Sequence, residues 1–290
     1  MNVLISINGI LEITVKIQVN PFKYSLNPYL TRIKYKSMRY FSLIIAVISF
    51  HVVLAQIPPA LPPPTPITTT ETITFYAKDS VLISADTYFL DNIPPTVLLC
   101  HQAGFSRGEY IKTAKKLNEL GFSCMAIDQR SGKEVNGIIN QTAINANAKL
   151  LNVGYTGAKK DVDAAIDYLY DLNGNQSIIL VGSSYSASLA LWIGSENKKI
   201  KGVAAFSPGE YLKNLNLAET IKTLSIPTFI TSSERETVPV EKLVRFVDSS
   251  HITHFKPQFK GIHGSRALWS STEGNEMYWS AFKEFMLKNK

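Results

Sequence analysis

From residue 71 to the end of the chain, short apolar runs of β-forming residues alternate with stretches whose apolar residues recur at helical spacing. That alternation constrains the fold more than any other feature. Successive strands joined through helices need right-handed crossovers, and these build a mostly parallel sheet covered by helices. Residues 96–100, 123–127, 176–181, 202–206 and 226–231 read as buried strands. Between them, residues 108–120 set Tyr110, Ile111, Ala114, Leu117 and Leu120 along one helical face before Gly121 stops the run, and residues 158–172 do the same with Val162, Ala165, Ile166 and Leu169. Residues 185–193 and 275–287 complete the helices, and residues 71–76 and 81–89 alternate as an antiparallel pair. The expectation is an α/β domain over 71–290, with one mostly parallel central sheet flanked by helices. In such sheets ligands bind outside the carboxyl ends of the strands, so the chemistry is sought there.

Ahead of this domain the chain changes character. Residues 41–55 form an apolar run of about 15 residues, shorter than the roughly 20 that span a bilayer, entered through Met38-Arg39 and closed by Val53-Leu54-Ala55. A charged start, an apolar middle and a small-residue end outline a cleavable secretory signal at 38–55, with an uncleaved membrane anchor as the alternative. Residues 1–37 are then a basic leader, or lie upstream of a true start at Met38. Six prolines among residues 57–66 favour an extended spacer, so 56–70 reads as a linker.

The formal net charge of +7 belongs mainly to the leader. Residues 1–55 carry six basic residues against Glu12, which leaves 24 basic and 22 acidic residues in the remainder. No basic patch suited to nucleic acid is visible in the body. Cys100 and Cys124 fall inside apolar runs on separate strands, as small buried hydrophobes rather than a disulfide. Asn140 and Asn175 begin glycosylation acceptor patterns that matter only in a eukaryotic host.

The most informative string is Gly182-Ser183-Ser184-Tyr185-Ser186, set between a strand and a helix. So sharp a turn forces its central residue into a strained conformation and requires small residues two before and two after it. Gly182 and Ser186 meet that demand around Ser184, whereas Val181 and Tyr185 would flank Ser183 and are too large. Ser184 is therefore the candidate nucleophile, with the Tyr185 amide as one oxyanion donor.

A serine hydroxyl needs a base, and the base an orienting acid. His263, in the small-residue loop Gly261-Ile-His-Gly-Ser265, follows the last strand and can reach across the strand ends. His251 and His254 read as surface or strand residues, and His101 as structural. After the strand at 226–231, Glu236 is the preferred acid and Glu234 the second choice. The segment His101-Gln-Ala-Gly104 supplies the second oxyanion amide, Ala103 first and Gln102 second. Asp128 and Arg130 read as loop-holding ion-pair residues.

The order of elements, with His101-Gln-Ala-Gly104, Gly182-Ser-Ser-Tyr-Ser186 and Gly261-Ile-His-Gly264 in that chain order, resembles the α/β-hydrolase fold, in its dienelactone-hydrolase-like branch. The resemblance covers residues 71–290 and implies a serine hydrolase acting on carboxylic esters through an acyl-enzyme, with no cofactor or metal. That branch's namesake enzymes use Cys where this chain has Ser184 and Asp where it has Glu236, so the implied reaction is general ester hydrolysis rather than dienelactone cleavage. A peptidase or amidase, and a non-catalytic binding protein of the same fold, are the alternatives. Only residues 207–225 separate two strands where large lipases carry a lid domain, so no separate lid is expected. The longer excursion, residues 129–157, is expected to border the pocket with Phe105, Tyr185 and Trp269.

Overall fold

The computed structural model describes residues 2–8, 12–18, 68–91 and 95–290. Near the amino terminus, β1 (Asn2–Asn8) pairs antiparallel with β2 (Glu12–Gln18), Ile5 opposite Val15. The expected signal at 38–55 and the proline-rich stretch lie outside the described residues. β3 (Thr68–Tyr76) begins at Thr68, three residues ahead of the expected domain start at 71.

The domain continues with β4 (Leu82–Leu90), β5 (Thr96–Cys100), a 3₁₀ turn at Arg107–Tyr110, α1 (Ile111–Glu119) and β6 (Ser123–Ile127). A small hairpin, β7 (Glu134–Val135) and β8 (Ile138–Ile139), leads into α2 (Gln141–Ala148) and α3 (Lys159–Leu172). Then come β9 (Ile178–Ser183), α4 (Tyr185–Glu196), β10 (Ile200–Phe206), the one-turn α5 (Leu217–Thr220) and β11 (Thr228–Thr231). α6 (Thr237–Val244), β12 (Ile252–Phe255) and α7 (Asn275–Lys288) close the chain. Among the described residues no helix is long and apolar enough to cross a membrane.

Eight strands form one sheet in the order β12-β11-β10-β9-β5-β6-β4-β3. β4 runs antiparallel to both its neighbours, β3 and β6, and the remaining pairs from β6 to β12 are parallel. This is the α/β-hydrolase-type architecture that the sequence implied. Alternate strand residues feed two cores. Leu98 and Cys100 pack with α3 and α4 on one face, while Val97 and Leu99 pack with α1 and the aromatic face of α7 (Tyr278, Trp279, Phe282, Phe285) on the other. Cys100 and Cys124 are buried and unpaired.

The chain runs from β5 to its neighbour β6 on one side and later returns to β9 on the other, so the crevice at the carboxyl ends of β5 and β9 is a topological switch point. Register aligns the strand ends there. Cys100 lies opposite Gly182, Phe206 opposite Ser183, and Phe206 opposite Thr231. The loops leaving β5, β9, β10 and β11 therefore start from one level.

Candidate active site

The turn between β9 and α4 holds Ser184 at φ 60° and ψ −123°, outside the regions open to an unstrained L-residue. Its neighbours make the strain possible. A Cβ on Gly182 would collide with the Ser186 carbonyl and the Ala187 amide. Ser186 does more than stay small: its hydroxyl accepts from the Ser183 amide at 2.9 Å and donates to the Cys100 carbonyl at 2.7 Å, pinning the turn to the end of β5. The Ser184 amide is held by the Phe206 carbonyl at 2.8 Å.

His263 stands between two glycines that take φ 58° (Gly261) and 75° (Gly264), and a Cβ at either would strike a neighbour, the Tyr278 hydroxyl or the Ser183 hydroxyl. The loop so bent brings His263 Nε2 to 2.8 Å from Ser184 Oγ. On its far side, His263 Nδ1 lies 2.5 Å from Glu236 Oε1. In the neutral tautomer Nδ1–H donates to the carboxylate and Nε2 accepts the serine proton.

Glu236 ends a 3₁₀ turn whose capping serine, Ser233, gives its other oxygen two hydrogen bonds, from Oγ at 2.6 Å and from the amide at 3.1 Å. Burial alone would raise this carboxyl, but the hydrogen bonds from His263 and Ser233 outweigh it and hold the group at about 2, so it is ionised at neutral pH. Glu234, two residues earlier, is exposed. Of the two carboxylates weighed in sequence, Glu236 is the one brought to the histidine.

Beyond the end of β5, the amides of residues 102–105 can be accounted for one by one. Gln102 donates to Glu109 Oε2 at 2.7 Å, Gly104 to the Ser131 carbonyl and Phe105 to the Gln102 carbonyl. Ala103 is left with no acceptor among the described residues, as is Tyr185 in the first turn of α4. His101 is wholly buried beneath this loop. Its Nδ1–H donates to the Gln102 carbonyl at 2.7 Å, and its Nε2 accepts from the Gln129 amide and the Asn140 side chain. Burial depresses its pKa to about 4, so it is a neutral brace.

Asp128 and Arg130 hold loops, each with a partner other than the other. Arg107 joins Asp128 and Asp86, while the fully buried Arg130 forks onto Asp161 at 2.7 Å and onto Asp79 at 2.8 Å.

The surroundings differ from expectation in one respect. Residues 133–147 of the long excursion pack away from Ser184: the Thr142 hydroxyl accepts from the Ser84 amide of β4, and the Asn145 side chain donates to the Leu82 carbonyl. Of that excursion, Tyr155 approaches the site, its ring stacked 4.4 Å from that of Tyr185. The Tyr185 ring itself is wholly buried. Tyr211, from the segment after β10, stands edge-on to His263 at 6.5 Å. Phe105 and Trp269 stack on each other at 6.3 Å, and Trp269 lines a cavity with Glu109, Ile111, Lys112 and Asn136. Ser207, Ser233, Glu109, Tyr155 and Tyr211 were not singled out by sequence, because only the fold assembles their contacts.

The model of the family described as alpha/beta hydrolase fold matches residues 95–253. No curated protein sequence matches the chain. Among solved structures, an esterase of Pyrococcus furiosus is 18% identical, with a TM-score of 0.60, covering 76% of this chain and 93% of its own. A dienelactone hydrolase from Anabaena variabilis is 13% identical, with a TM-score of 0.60, covering 77% and 98%. An acylaminoacyl peptidase of Pyrococcus horikoshii is 14% identical, with a TM-score of 0.56, covering 82% of this chain and 43% of that one. At these identities the likeness is one of fold.

Proposed function

Because the chain belongs to the α/β-hydrolase fold family, we propose that it is a serine hydrolase that cleaves carboxylic esters through an acyl-enzyme. The observation that carries this reading is the unbroken hydrogen-bonded chain from Ser184 Oγ through His263 to Glu236, at 2.8 and 2.5 Å.

In the first half-reaction Ser184 Oγ attacks the ester carbonyl carbon as His263 Nε2 takes the hydroxyl proton. Glu236, ionised and aligned on Nδ1–H, stabilises the imidazolium that forms. The carbonyl oxygen becomes an oxyanion held by the amides of Ala103 and Tyr185. Collapse breaks the bond to the alcohol oxygen, which leaves with the proton from His263. In the second half-reaction water attacks the acyl-enzyme, again giving its proton to His263, and the carboxylic acid is released with Ser184 restored. Tyr155 and Tyr211 form the apolar border against which the acyl group rests. The secretory signal at 38–55 directs the protein to export.

Substitution of Ser184 by Ala is the test. The wild type hydrolyses p-nitrophenyl acetate and takes a fluorophosphonate label at Ser184, and Ser184→Ala does neither. Label on another serine, or turnover that survives in the variant, overturns the assignment.

A further inference from the structure

Glu109, in the 3₁₀ turn after the oxyanion loop, is a buried carboxylate that the ester-cleavage steps do not use. Its oxygens face two different loops of the site. Oε2 takes the Gln102 amide at 2.7 Å, and Oε1 takes the Ser265 hydroxyl at 2.5 Å. Ser265 lies two residues beyond His263, and its amide donates in turn to the hydroxyl of Ser183, the residue before Ser184, at 2.8 Å. One carboxylate thus connects the oxyanion loop, the histidine loop and the nucleophile turn.

The 3₁₀ turn that carries Glu109 is itself fixed from several sides. Arg107 is clamped between Asp86 and Asp128, the Tyr110 hydroxyl donates to the Cys100 carbonyl at 2.8 Å, and the Trp269 indole donates to the Glu109 carbonyl at 3.0 Å. The carboxylate is therefore a fixed point against which the amides of the oxyanion loop are set. Burial raises its pKa, opposed by the Ser265 hydroxyl and the Gln102 amide, so a buried acid is kept here against a solvation cost.

We propose that Glu109 is a positioning residue for the oxyanion hole: by engaging the Gln102 amide it leaves the Ala103 amide as the free donor of that loop, and through Ser265 it holds the loop in register with His263 and Ser184. This rests on the ester-hydrolase reading of the site. A buried amide such as that of Gln102 must find an acceptor. Without Glu109 the loop turns to satisfy it, and the Ala103 amide moves off the point where the oxyanion forms. The consequence falls on the transition state, because substrate in its ground state places no negative charge there.

The test compares wild type with Glu109→Ala, Glu109→Gln and Ser265→Ala, all with Ser184 intact. In Glu109→Ala, kcat for p-nitrophenyl acetate falls about 100-fold, the loss typical of one oxyanion donor, while KM stays within about 3-fold. Affinity for an alkyl boronic acid, which forms a tetrahedral adduct on the serine, falls in step with kcat/KM, whereas inhibition by acetamide, a neutral ground-state analogue, is unchanged. Glu109→Gln, whose amide oxygen can still accept from Gln102 and whose NH₂ can donate to Ser265, recovers kcat to within about 10-fold of wild type.

If Glu109→Ala fails to fold, Ser265→Ala carries the test, with a smaller kcat loss of the same pattern expected. Wild-type kcat in folded Glu109→Ala or in Ser265→Ala, or equal losses of boronate and acetamide binding, overturns the role of Glu109 alone. A wild type that takes no fluorophosphonate label at Ser184 overturns the reading of the site and this role with it.

Discussion

Ser207 donates its hydroxyl to Glu236 Oε2 at 2.9 Å and accepts the Gly264 amide at 3.0 Å. A single side chain on the loop after β10 therefore fastens the acid after β11 to the loop that carries His263. It does so from a backbone conformation of φ 56°, which a residue with a Cβ adopts only when its surroundings impose it. The Thr231 carbonyl imposes it here, taking the Ser207 amide at 2.7 Å.

Replacing Ser207 by Gly separates the hydroxyl from the backbone strain. Glycine takes the positive φ without cost, so the fold is kept and only the two hydrogen bonds are lost. A hydrogen bond to a charged group contributes about 1.5–3 kcal/mol, and a loosened Glu236 orients His263 less well. The expected result is a fall in kcat of about 10-fold with a Tm lowered by several degrees, because the buried Gly264 amide also loses its acceptor, measured on p-nitrophenyl acetate and by thermal unfolding. Ser207→Ala should lose the same turnover and melt below the Gly variant. Unchanged kcat in Ser207→Gly would show that Ser233 alone suffices to fix the acid.

Glu236→Gln should cost far more than Glu234→Gln, up to about 10⁴ in kcat, because the amide cannot hold the required histidine tautomer. The pH dependence of stability offers a second readout. The Glu236 carboxyl is lowered from its ordinary 4.5 to about 2, so its contribution to stability is full above 4.5 and is lost as pH falls toward 2. Between those values the stability of Glu236→Gln should fall less steeply with acid than that of the wild type. Parallel acid-unfolding curves for the two proteins would contradict the lowered pKa.

The strand–helix alternation is legible because both patterns are local, and the sequence anticipates β5, β6, β9, β10 and β11 with α1, α3, α4 and α7 to within a few residues, whereas the edge strand β12 and the helix α2 carry too few apolar residues to announce themselves. Ser184, His263 and Glu236 are likewise readable, since each sits at a strand end marked by small residues or by a turn. Other features depend on distant partners. Glu109 meets Ser265 at a separation of 156 residues, and nothing in Arg107-Gly-Glu-Tyr110 announces it. The excursion at 129–157 is expected from sequence to border the pocket, and residues 133–147 depart from that for a related reason: Asn140 and Thr142 are buried and bind distant partners through polar side chains rather than apolar ones.

Ser186→Gly would restore the more familiar glycine at the end of the nucleophile turn, and it should weaken the protein. The Ser186 hydroxyl is the acceptor for the buried Ser183 amide and a donor to Cys100. Removing it orphans that amide at about 1–3 kcal/mol, and glycine in the first turn of α4 adds up to about 1 kcal/mol. In a domain of this size such a loss should lower Tm by about 5 °C or more. A Tm equal to or above that of wild type would mean that the hydroxyl contributes nothing to the turn.

The excursion at 129–157 divides into two parts with different consequences. Asn140 caps α2 through the Ala143 amide at 2.7 Å, and its NH₂ group reaches the Gln129 carbonyl at 2.9 Å and His101 Nε2 at 3.1 Å. Excising residues 133–147 therefore removes the support of His101 under the oxyanion loop and the acceptor of the Ser84 amide on β4. Several buried polar groups lose their partners together, each at about 1–3 kcal/mol, so the shortened protein should unfold at least 10 °C lower or fail to fold. Tyr155 behaves differently. It is 40% exposed and rests on Tyr185 by stacking, a contact contributing about 0.5–1.5 kcal/mol. Tyr155→Ala should keep Tm within a few degrees while changing the ratio of kcat/KM for acetyl and octanoyl esters by about 3-fold or more, because the wall beside Ser184 is lowered. Tyr211→Ala, beside His263, should shift the same ratio. A stable excision variant would mean that residues 133–147 brace nothing, and an unchanged ester profile in both tyrosine variants would show that the acyl chain lies elsewhere.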